Sequence, residues 1–196
     1  VAVAEAAGAP PPRRRAAALA WLLAPLFLAG AAARGTAVPA AAPAAAGGRG
    51  IAGIVVSVVD GDTITVAAEG GERVRVRLWG IDAPEVPHRG RPGQPWGREA
   101  RDALRRKIHR MPVVVEPVEV DSYGRLVGLV RLGSRNVNAE MVAEGHAWAY
   151  RRFLGRPYAS SFVELERAAR RKRLGLWSEA NPVPPWEFKR RIGVGR

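Results

Sequence analysis

The sequence predicts an α+β fold, a five-stranded β-barrel with three helices packed against it. Three observations carry that prediction. Five segments rich in β-branched residues lie between residues 51 and 132. Helical spacing dominates the chain after residue 136, with one amphipathic stretch between the third and fourth of these segments. The connections are mostly too short for the crossovers of a parallel sheet, so an antiparallel sheet is expected.

The first strand runs from Ile51 to Val59, and Asp60-Gly61-Asp62 interrupts it before Thr63 to Val66 resumes. Glu69-Gly70-Gly71-Glu72 is a turn signal. Arg73 to Leu78 then alternates strictly. Period two puts Val74, Val76 and Leu78 on the core face and three arginines opposite, with Arg77 at the strand's end. Pro84 to Trp96 is rich in Pro and Gly and reads as an exposed loop. Gly97 to Ile108 carries Ala100, Ala103, Leu104 and Ile108 at helical spacing. Met111 to Val120 and Leu126 to Leu132 are the last two strands, joined by the turn Ser122-Tyr123-Gly124-Arg125. Asn136 can cap a short helix from Val137 that ends at Gly145. A third helix runs from about Tyr158 to Arg173, with Tyr158, Phe162, Leu165 and Ala169 on one face. This order fits a small Greek-key barrel of the oligonucleotide-binding (OB) type.

The 196 residues carry a formal net charge of +13, which favours an anionic partner without choosing among nucleic acid, membrane surface and acidic protein. The absence of cysteine excludes a disulfide framework, a thiolate metal site and a cysteine nucleophile. His88, His109 and His146 are too scattered for a zinc-metallopeptidase pair. Residues 51–196 hold 26 basic and 17 acidic residues, so the domain itself is basic. Before it, Arg13-Arg14-Arg15 precede an apolar run from Ala16 to Ala33. Residues 1–33 read as a signal peptide cleaved near Ala33, with an uncleaved signal anchor as the rival. Residues 34–50 are nearly all Ala, Pro and Gly, a disordered linker. The barrel domain spans 51–178, and 179–196 read as a basic tail with Lys189-Arg190-Arg191 disordered. A secreted, periplasmic or cell-envelope location is expected. Most of the six tryptophans read as packing residues, with Trp96 in the loop the best candidate to stack on a base.

Two carboxylate-bearing segments stand out. Asp60-Gly61-Asp62-Thr63 lies between two strands, and Asp82-Ala83-Pro84-Glu85 follows the arginine strand. Each alone is an ordinary turn. Together, and close to Arg77, they can hold a hard cation such as calcium through oxygen donors. Glu85 can orient or deprotonate water beside such an ion. Arg77 and Arg125 are the candidate phosphate ligands, because an arginine fork clamps phosphate and stabilises added charge in the transition state.

Val59-Asp60-Gly61-Asp62-Thr63, the stretch from Arg77 through Trp79-Gly80-Ile81 to Glu85, and Asp121-Ser122-Tyr123-Gly124-Arg125 resemble the staphylococcal nuclease (thermonuclease) family in order and spacing. Gly97-Arg98-Glu99-Ala100, Asn138-Ala139-Glu140-Met141-Val142 and Gly175-Leu176-Trp177-Ser178 are similar too, and Pro184-Pro185-Trp186-Glu187-Phe188 resembles the tail of many bacterial members. The resemblance implies a calcium-dependent phosphodiesterase acting on DNA and RNA, leaving a 3′-phosphate and a 5′-hydroxyl. It implies Asp62, Asp82 and the backbone carbonyl of Ala83 as calcium ligands, with Ala where members often have Thr. It implies Glu85 as general base or water-orienting group, Arg77 and Arg125 on the scissile phosphate with Arg125 assisting the leaving oxygen, and Tyr123 near the nucleotide, with Tyr150 in a similar role. No obligate protein partner is indicated, so a monomer is expected, with membrane attachment only through residues 16–33. One competing reading is a non-catalytic copy that binds nucleic acid or peptide, which would be free to lose these five charged side chains. Another is a secreted basic protein acting on an anionic surface, which would need no carboxylate cluster.

Overall fold

The computed structural model describes residues 50–88, 90–154 and 158–193. The expected signal segment and nearly all of the linker lie outside the described residues. The strands are β1 (Ile51–Asp60), β2 (Thr63–Ala68), β3 (Arg73–Leu78), β4 (Ile81–Asp82), β5 (Pro112–Val120), β6 (Leu126–Leu132), β7 (Arg135–Asn136) and β8 (Trp148–Ala149). The helices are α1 (Gly97–Ile108), α2 (Val137–Ala143), α3 (Tyr158–Arg171) and α4 (Pro185–Arg191).

Five strands close into a barrel in the order β3-β2-β1-β5-β6, with β6 returning to β3. β1 is long enough to serve two neighbours. Its first half pairs with β5 and most of its length with β2, and two register irregularities bend it between them. The neighbours β1–β2, β2–β3, β1–β5 and β5–β6 are antiparallel, as expected. The closing pair differs: β3 and β6 run parallel, with Val76 opposite Leu126 and Leu78 opposite Gly128. The chain between them contains α1 and β5, a connection long enough for a parallel pair.

Alternation along the strands sends one side chain in two to the barrel interior. Val55, Ile64, Val66, Val76, Leu78, Val115 and Val130 are fully buried there. α1 adds Ala100, Leu104 and Ile108, and α2 adds Val137, Met141 and Val142. Burial of each large aliphatic side chain is worth about 1.5–3 kcal/mol. Asn136 caps α2 as expected, its side-chain oxygen accepting from the Ala139 N–H at 3.1 Å. Asn138, fully buried, accepts from the Val130 N–H and donates to the Trp79 and Gly128 carbonyls. It thereby ties α2 to both sides of the parallel seam.

Two features depart from the sequence reading. On α3 the buried set is Tyr158, Phe162, Glu166 and Ala169, so an acid takes a place in the helix's inner face. Glu166 is held there by the Ala149 N–H at 2.7 Å and by Arg170 at 2.9 Å. The C-terminal stretch is a helix, α4, begun by Pro185 at its first turn. Its Trp186 packs against a second apolar cluster of Trp148, Ala169, Leu176 and Trp177. Trp96, the candidate stacking residue, packs against the same cluster.

Candidate active site

The site begins at the tight link between β1 and β2, where Asp60 faces Thr63 across Gly61 and Asp62. The Asp-Gly-Asp turn is thus an ordinary hairpin and a carrier of carboxylates at once. Gly61 allows α1 and the β4 segment to close over it. A β-carbon there would lie 2.7 Å from the Ala83 side chain and 2.8 Å from that of Ala100. The enclosed Asp62 is 2% exposed. Its carboxylate accepts from the Ala83 N–H at 3.0 Å and from the Thr63 hydroxyl at 2.9 Å. The turn is therefore bonded directly to the residue after β4.

β4 carries Asp82 and is held by antiparallel pairing with β8, Asp82 opposite Trp148. Asp82 is 1% exposed. Arg77, near the end of β3, reaches both carboxylates, 2.6 Å from Asp82 Oδ1 and 3.3 Å from Asp62 Oδ2. Glu85 lies on the loop after β4, and Gly97 lets the start of α1 sit against it, since a β-carbon there would overlap the Glu85 carbonyl. Gln94 fastens the same loop. It donates its backbone N–H to the Glu85 carbonyl at 2.8 Å and its side-chain amide to the Val183 carbonyl.

A further member of this group is Lys189, from α4. Its ammonium lies 2.9 Å from Asp82 Oδ1 and 2.9 Å from Glu85 Oε1. Instead of belonging to a disordered tail, it bridges two of the predicted site carboxylates. A seven-residue helix in a basic, proline-rich stretch gives too short a periodic signal to be read from sequence. The signal that could have found it is the Pro185 start with Trp186 and Lys189 three apart on one face.

The four carboxylates of this corner face two cations, and their acidities divide accordingly. Burial pushes Asp82 and Glu85 above the ordinary carboxylate range, against the pull of Lys189. Burial and the neighbouring Asp62 do the same to Asp60. At Asp62 burial also acts upward, but Arg77, Lys189 and the hydrogen bonds outweigh it and hold the group below its usual value. Arg77 and Lys189 are each driven above their ordinary values, because the carboxylates more than offset burial.

The other predicted residues sit across a cavity of about 480 Å³. Arg77, Asp82, Lys189, Tyr123, Arg125, Tyr150 and Trp186 all line it. Arg125 directly precedes β6, at the end of the β5–β6 turn. Asp121 organises that turn, accepting from the backbone N–H groups of Tyr123 and Arg125 at 2.9 and 3.0 Å. The same carboxylate holds the Arg125 guanidinium, at 2.8 and 2.7 Å. Those bonds outweigh burial and keep Asp121 below its usual range. Arg125 also lies over the Tyr123 ring, 5.3 Å from its centre, and Tyr123 itself is 75% exposed. The Tyr150 ring stacks on Trp186 at 5.2 Å with planes 8° apart.

The donor chemistry fits a hard cation. Asp62 and Asp82 are buried oxygen donors with no thiolate or imidazole beside them, and a basic side chain already supplies positive charge at the Asp82 oxygen. Among the described residues, no three or more His, Cys, Asp or Glu side chains are arranged as a metal cluster. A calcium ion here would rest on two carboxylates and the Ala83 carbonyl.

The family model described as staphylococcal nuclease homologue matches residues 75–179. The chain is similar to a micrococcal nuclease of Shigella flexneri, 44% identical over 147 residues, covering 70% of this chain and 80% of that protein. It is similar to Protein ParB of Escherichia coli, 45% identical over 70% of this chain and 78% of that one. An uncharacterized endonuclease of Escherichia coli O157:H7 is 39% identical over 72% of this chain and 86% of its own. The matched range contains Arg77, Asp82, Ala83, Glu85, Tyr123, Arg125 and Tyr150, while Asp62 and Lys189 fall outside it.

Proposed function

The chain belongs to the staphylococcal nuclease family, and on that premise we propose that it is a nuclease whose hydrolysis of DNA and RNA requires calcium and leaves 3′-phosphate and 5′-hydroxyl ends. One observation carries the reading most. Two buried carboxylates, Asp62 from the β1–β2 turn and Asp82 from β4, converge on Arg77, which shares a cavity with Arg125.

Asp62, Asp82 and the Ala83 carbonyl would hold the ion. Calcium, when bound, supplies positive charge against the attacked phosphate. Arg77 and Arg125 both line the cavity and bind the phosphate there, each first exchanging a carboxylate partner for a phosphate oxygen. Glu85, with its acidity weakened by burial, takes a proton from the attacking water. The new bond joins that water oxygen to phosphorus, and the bond from phosphorus to the 5′-oxygen breaks. The departing 5′-oxygen, beside Arg125, takes a proton from a solvent water, and the proton held by Glu85 returns to solvent, while the added charge of the five-coordinate phosphorus falls on the two guanidinium groups. Tyr123 and Tyr150 supply ring faces to the nucleotide.

Plasmid degradation by the full chain tests this. Calcium should support cleavage, a chelator should abolish it, and Glu85→Gln should lower the rate by about 10²–10³. Equal cleavage with calcium and with chelator would defeat the metal reading. We also propose that the chain is exported, supported by the arginine triplet and the apolar run after it. Mass spectrometry of the exported protein should find a mature N-terminus near Ala33.

A further inference from the structure

Lys189 reaches the site from a separate helix near the end of the described chain. Its ammonium sits between Asp82 and Glu85 at 2.9 Å from each, with its side chain only 23% exposed. Asp82 Oδ1 thus already accepts two cationic donors, Lys189 and Arg77. A divalent ion on the same carboxylate would face the lysine charge at a few ångströms, beside a carboxylate that is itself almost wholly buried. The two cannot share Asp82 without strong repulsion.

We infer that Lys189 is a tethered resident cation of the carboxylate site, which calcium must displace, so that this side chain sets the metal affinity of the enzyme. This rests on the calcium reading above. The helix that carries Lys189 gives the displacement a visible consequence. Trp186, three residues earlier, stacks on Tyr150 and meets the Trp148 ring edge-on at 5.5 Å. Moving Lys189 off Asp82 pulls on the helix that presents that indole. The segment leading into α4 is also tied to the site through Val183, which accepts from Gln94 independently of Lys189.

The test is calcium binding to the full chain, with no substrate present, followed by calorimetry and by tryptophan emission. Lys189→Met and Lys189→Gln should bind calcium at least about tenfold more tightly than the parent, since no cation is displaced. Lys189→Arg should bind as the parent does. Arg190→Met removes the same charge one residue away, at a position whose side chain makes no contact with the carboxylates, and should change affinity by less than about twofold. The parent should show a calcium-dependent change in emission that Lys189→Met loses. Unchanged or weaker binding by Lys189→Met and Lys189→Gln overturns the role of Lys189, as does an equal shift in Arg190→Met. Absence of calcium binding in the parent and both Lys189 variants would instead defeat the calcium reading itself.

Discussion

Arg77 and Arg125 line the same cavity, yet each is restrained by a different kind of partner. Arg77 is gripped by two carboxylates, Asp62 from the β1–β2 turn and Asp82 from β4, both almost wholly buried. Arg125 is gripped by one carboxylate, Asp121, four residues earlier in its own hairpin and 18% exposed. The first arrangement joins the β1–β2 turn to β3 and β4. The second depends only on one turn. The difference teaches that two arginines with the same expected role toward phosphate can carry unequal structural weight.

Variants can break that contrast. Arg77→Ala should lower the cleavage rate by about 10²–10³ and also destabilise the calcium-free protein, because buried carboxylates lose a partner. Thermal melting should show the loss, and added calcium should restore much of it by binding the folded state. Arg125→Ala should lower the rate by a similar factor but cost less stability than Arg77→Ala, because one partly exposed carboxylate loses a partner instead of two buried ones. If it melts as early as Arg77→Ala, the contrast between the two arginines is wrong. Tyr123→Ala should have the smallest effect, a change of less than about tenfold that appears in KM more than in kcat. A large fall in kcat would make the ring part of the chemistry instead of a nucleotide rest.

The residues legible from the sequence are those whose signal is local. Alternation in Arg73–Leu78 foretells which side chains enter the core, and the spacing of Ala100, Ala103, Leu104 and Ile108 foretells the inner face of α1. The carboxylate turns are visible as turns, and the structure gathers Asp62, Asp82, Arg77 and Glu85 into one corner. What stays hidden depends on distant parts of the chain meeting. The parallel β3–β6 seam has no local signature, and two-residue strands such as β4 and β8 are too short to show alternation. Glu166 carries no local sign of burial, because the Ala149 N–H that holds it arrives only when α3 docks. Lys189 is hidden for the same reason, since a basic, proline-rich stretch reads as a tail until α4 finds the cluster around Trp148.

The parallel seam also sets when the enzyme can first act. Arg77 lies one residue before the end of β3 and Arg125 one residue before the start of β6, and the two strands pair at Val76–Leu126 and Arg77–Val127. Roughly 50 residues of chain must fold before those ends meet, a costly loop closure that places this pairing late. Arg77 and Arg125 therefore become neighbours only as the barrel closes. A chain still emerging from the ribosome, with β6 not yet paired to β3, has no assembled cutting site. A nuclease built this way stays inactive for as long as its barrel is open.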